Sequence, residues 1–102
     1  MKLRELDGQL VRCLTPTSFR TDVESVGEAQ GVLFLCPACW RRNGGPAGTH
    51  SILVWFEGRG VPDEVEPVAR WQAIGNSIDD LSLHPSVNGD CWHGWVRDGA
   101  AA

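Results

Sequence analysis

A chain of 102 residues, 42% apolar and 22% charged, is long enough for one modest core and too short for two, so a single domain over residues 1–102 is expected. Its net charge of −4 weighs against a general phosphate-binding surface and so disfavours nucleic acid as a partner. No apolar run approaches the ~20 residues that cross a bilayer, and the charged start Met1-Lys2-Leu3-Arg4-Glu5 has no apolar signal segment. A cytoplasmic protein without a membrane role is therefore expected, and reducing conditions there favour metal thiolates over disulfides for the four cysteines.

In chain order, Asp7-Gly8 is a turn signal, and residues 9–14 read as a strand with Leu10, Arg12 and Leu14 on one face and Val11 and Cys13 on the other. Residues 17–24 alternate weakly and suit an edge strand. Val32 to Leu35 is an apolar strand running into Cys36-Pro37-Ala38-Cys39, after which Arg41 to Thr49 reads as a glycine-rich loop. His50 to Phe56 is the clearest strand. Ile52, Val54 and Phe56 share one face, Ser51, Leu53 and Trp55 the other, and both are apolar enough for a central position. Residues 57–67 form a solvated loop and 68–74 a further strand, with one helical turn expected near Asn76 to Leu81. Asn88-Gly89 is the favoured two-residue hairpin turn. Residues 90–97 would follow as the last strand, with a loose alanine tail beyond. The pattern predicts a mostly β domain, with a small α+β fold also compatible. The expected architecture is a set of short antiparallel strands, with Cys36-Pro37-Ala38-Cys39 as a zinc knuckle that closes the sheet.

Two thiols separated by two residues can face one tetrahedral ion, and a closed site needs two further ligands. Cys91 and His93 stand two apart on the predicted last strand, so their side chains point the same way. The expected ligand set is Cys36, Cys39, Cys91 and His93, a Cys3His structural zinc site. His50 is the alternative fourth ligand, since it follows the flexible loop leaving Cys39. Cys13 reads as a core residue and His84 as a surface one.

The motifs Cys36-Pro37-x-Cys39, His50-Ser51-Ile52, Trp71, Leu81-Ser82-Leu83-His84-Pro85-Ser86-Val87 and Cys91-Trp92-His93-Gly94-Trp95-Val96-Arg97-Asp98-Gly99 carry a resemblance. The segment from Cys36 to Gly99 resembles a family of short phage, prophage and bacterial proteins known only as a domain of unknown function. The resemblance implies a small zinc-binding, β-rich protein with its zinc-site core over residues 32–99; residues 1–30 add N-terminal strands outside it. Members of the family often have two residues between the last Cys and His where this chain has one, which keeps His50 open as a ligand.

The expected function is a non-enzymatic protein-interaction module, with Trp40, Arg41, Arg42, Trp92 and Trp95 around the zinc site as the partner surface. In a phage setting the partner is a phage or host protein, and the chain a virion or assembly component or an inhibitor of a host factor. The alternative is nucleic-acid binding through Arg41, Arg42, Arg59, Arg70 and Arg97 with Trp stacking. A zinc hydrolase is the least favoured reading, because a zinc ion bound by three thiolates is a poor Lewis acid. The His-x-Glu of zinc deaminases is absent, and no catalytic residue is assigned.

Overall fold

The computed structural model describes residues 1–102. A 3-10 turn at Leu3–Leu6 precedes β1 (Gln9–Thr15), β2 (Ser18–Val23) and β3 (Gly31–Leu35). One helix, α1 (Pro37–Asn43), leads to β4 (Ser51–Phe56) and β5 (Arg70–Ile74). The short strands β6 (Ser82–His84), β7 (Val87–Gly89), β8 (Trp92–Gly94), β9 (Val96–Arg97) and β10 (Ala100–Ala101) complete the chain. Strand takes 42% of the residues and helix 11%, so the domain is mostly β, as expected. No helix is long and apolar enough to cross a membrane.

Six strands form one sheet in the order β2-β1-β3-β4-β5-β6, antiparallel except between β4 and β5. The alternation of β4 decides which side chain goes where. Ile52, Val54 and Phe56 enter the larger core with Leu10, Val32, Phe34 and Leu83. Trp55 turns to the opposite face, where Val11, Val61 and Val65 cover it and Leu53 packs at the margin. Its indole N–H donates to the Glu66 carbonyl at 3.0 Å, so the buried ring leaves no polar atom unpaired. The loop after β4 is held by Gln30, whose side-chain amide donates to the Arg59 carbonyl and accepts from the Cys13 N–H.

Four local expectations change. The segment after Cys39 stays helical to Asn43, because Pro37 suits the first turn and Gly44, at φ 70°, supplies the left-handed cap that ends it. Residues 76–80 form a turn and not a helical one. Asp80 Oδ1 reaches back to accept the N–H groups of Asn76 at 2.9 Å and Ser77 at 2.8 Å. The hairpin turn is Asp90-Cys91, since Gly89 pairs with Trp92 and Asn88 with His93. The alanine tail is anchored. Ala101 is fully buried, β10 pairs with β9, and Ala101 N–H donates to the Met1 carbonyl at 2.7 Å.

Candidate metal centre

The centre is assembled at one end of the β3–β4 pair. Leu35 is registered against Ser51, so the next residues along each strand, Cys36 and His50, face one another. The Cys36 N–H donates to the His50 carbonyl at 2.9 Å and fixes that juxtaposition. Helix α1 turns back immediately after Cys36 and carries Cys39 in its first turn, both thiols being buried. The third segment is the β7–β8 hairpin, which presents Cys91 from its turn. Gly89 allows the hairpin to come this close: a Cβ there would lie 2.8 Å from Ile52 Cδ1.

The Sγ atoms of Cys36, Cys39 and Cys91 and a ring nitrogen of His50 all lie within 4.8 Å of one another. Cys91 Sγ is 2.9 Å from Cys39 Sγ, 3.5 Å from Cys36 Sγ and 3.1 Å from His50 Nε2. Four donors around a zinc ion, with Zn–S near 2.3 Å and Zn–N near 2.0 Å, stand about 3.5–4 Å apart, inside this range. The cluster can therefore hold a metal ion, and all four cysteines are free of disulfides. Its Cys36–Cys39 side is buried, whereas His50 and Cys91 are exposed.

Three of the four expected ligands converge, and His93 does not join them. The prediction placed Cys91 and His93 on one strand, where a two-residue spacing gives a common direction. Cys91 instead occupies the turn, so strand alternation does not connect the two side chains. His93 Nε2 lies 3.0 Å from Ser86 Oγ. His50, the alternative, takes the fourth place. Asp90, with φ 29°, takes the left-handed turn position that Asn88-Gly89 had suggested for Gly89. Gly89 serves close packing instead.

The expected partner residues are distributed unevenly. Trp92 is buried in the larger core, with its ring edge-on to Phe34 at a centroid distance of 6.0 Å, so it is not a surface anchor. Trp40 is half-buried against the same core. Trp95 is half-buried too, with the Arg97 guanidinium over its ring at 4.3 Å. Arg41 is exposed on α1. Arg42, one turn beyond Cys39, donates from Nη2 to Cys39 Sγ at 3.1 Å. A dication held by three thiolates and a neutral imidazole would carry one net negative charge, which this guanidinium would offset. That role was not seen in the sequence. The signal for it was the helix bracketed by Pro37 and Gly44, which puts residues 39 and 42 on one face.

The other arginines are engaged within the fold. Arg59 donates to the carbonyls of Val26 and Ala29 and lies over the Phe56 ring. Arg70 caps the carbonyls of Pro67, Ala69, Pro62 and Val65. A groove of about 220 Å³ borders the centre between His50, Leu53, Pro67, Trp71 and Val87. Comparison with protein-family models, curated proteins and solved structures gives no match.

Proposed function

We propose that this is a small zinc-stabilised protein in which the metal is structural, and that the folded domain acts as a non-enzymatic protein-interaction module. The observation that carries the reading is the convergence of Cys36, Cys39, His50 and Cys91 from three separate segments on one point. Three soft thiolates and one imidazole suit zinc, and four protein ligands leave no open position for water or substrate. Binding free energy of such sites, about 10–16 kcal/mol in zinc-finger peptides, becomes folding free energy. Helix α1, with exposed Arg41 beside half-buried Trp40, is the surface next to the metal best suited to a partner. The resemblance of residues 36–99 points to a phage or host protein as that partner, the chain being a virion or assembly component or a host-factor inhibitor.

Nucleic-acid binding is the second reading, and the arginine geometry argues against it. Of the five arginines it would use, Arg59 and Arg70 hold loop carbonyls, Arg97 stacks on Trp95 and Arg42 serves Cys39.

Elemental analysis with thermal melting before and after a strong chelator tests the structural metal. One zinc per chain and loss of the cooperative transition on chelation are expected; a metal-free chain with an unchanged melt would overturn the reading. Titration with single- and double-stranded oligonucleotides at low salt is expected to show no binding, and a salt-sensitive complex would favour the second reading.

A further inference from the structure

The four ligands differ sharply in access. Cys36 and Cys39 are 0% and 3% exposed, whereas Cys91 sits in an exposed hairpin turn. Cys91 Sγ also makes the cluster's shortest approaches, 2.9 Å to Cys39 Sγ, 3.1 Å to His50 Nε2 and 3.5 Å to Cys36 Sγ. A solvent-facing metal thiolate with a second thiolate against it has the two features of a redox-sensing cysteine: access to oxidant and a resolving partner. Arg42 lies on the resolving partner, its guanidinium donating to Cys39 Sγ at 3.1 Å.

We infer that Cys91 is an oxidative modification site, and that hydroperoxide converts the Cys39–Cys91 pair to a disulfide with release of the metal. This rests on the reading of the cluster as a zinc site. In the first step the Cys91 thiolate attacks one peroxide oxygen. An S–O bond forms, the O–O bond breaks, and the departing hydroxide takes a proton to become water. In the second step the Cys39 thiolate attacks the Cys91 sulfenic acid. The S–S bond forms, the S–O bond breaks, and a second hydroxide leaves and is protonated. The two sulfurs together lose two electrons and the peroxide gains them. Only Cys36 and His50 then remain as donors, too few for a closed tetrahedral site. The hairpin keeps its core contacts through Val87 and Trp92, while its turn is joined to α1 by the disulfide and no longer to Cys36 and His50 through the metal.

The test treats the zinc-loaded full chain with hydrogen peroxide, follows zinc with a chromogenic indicator, and maps disulfides by proteolysis and mass spectrometry. The expected result is one zinc released per chain, a Cys39–Cys91 disulfide, and recovery of zinc binding after thiol reduction. Retention of zinc under peroxide, or a Cys36–Cys39 disulfide as the product, would overturn the inference. A chain that carries no zinc before peroxide is added would instead overturn the zinc reading beneath it. Cys91→His keeps a fourth donor and removes the exposed thiol, so a zinc-loaded variant should release its metal at least about tenfold more slowly. An unchanged rate contradicts the inference. If the variant does not load zinc, the disulfide map of the unaltered chain decides.

Discussion

His50 and His93 are both exposed histidines, and their different partners give them different weights. His50 Nε2 lies 3.1 Å from Cys91 Sγ, while His93 Nε2 meets only Ser86 Oγ at 3.0 Å. His50→Ala should reduce zinc content and lower the melting temperature of the zinc-treated protein. His93→Ala should keep one zinc per chain and cost no more than about 1 kcal/mol, the worth of one exposed hydrogen bond. The reverse pattern would return the fourth place to His93. A second pair of residues sets a pH response. The Arg4 guanidinium, hydrogen-bonded to Asp79, holds that carboxyl below its ordinary range. The N–H groups of Ser77 and Asn76 do the same for Asp80. Because the folded values are depressed, the stability they contribute is present above the ordinary carboxylate range near 4 and is lost as pH falls through the folded values. Carboxyl carbon shifts followed by NMR should give both aspartates midpoints below about 3.9, and ordinary midpoints would remove this contribution.

At the scale of elements, the β7–β8 hairpin and α1 do the positioning, and each carries its own prediction. Trp92 fastens the hairpin to the core through Phe34, so Trp92→Ala should cost about 3–5 kcal/mol in denaturant unfolding. A loss under about 1 kcal/mol would mean that the indole packs at the surface after all. Gly44 ends α1 at φ 70° with its N–H on the Trp40 carbonyl; Gly44→Ala should destabilise by about 1 kcal/mol in the same assay. Of the strands that build the sheet, β1 to β5 were legible from their sequence. The alternation of Ile52, Val54 and Phe56 against Leu53 and Trp55 reports burial on two faces directly, and the split of Leu10 from Val11 and Cys13 does the same for β1. The hairpin was not legible in that way. Asn88-Gly89 carries the local chemistry of a tight turn, but Gly89 is required for contact with Ile52, a residue on a distant strand. Tertiary packing moved the turn to Asp90-Cys91 and, with it, the identity of the fourth ligand. Helix α1 was obscured differently. Arg41, Arg42 and Asn43 precede a glycine run and read as its beginning, although the helix persists until the first glycine.

Across the whole molecule, the candidate metal centre brings the hairpin turn to the end of β3 and β4 that α1 connects, and the two chain ends are stitched together by backbone hydrogen bonds. Leu3 N–H donates to the Gly99 carbonyl at 2.8 Å, and Ala102 exchanges hydrogen bonds with Trp95. The larger core includes Leu3 and Ala101 from the chain ends and both buried cysteines of the candidate centre, so on the proposed reading removal of the metal should loosen the core around those cysteines. A mostly β architecture of this size follows from composition and short alternating segments, whereas the way its ends close depends on contacts no local pattern encodes. A metal bound here is expected to have a Cys3His coordination sphere. X-ray absorption at the zinc edge of the purified protein should find three sulfurs near 2.3 Å and one nitrogen near 2.0 Å. A first shell with two sulfurs, or with oxygen in place of the imidazole, would contradict it.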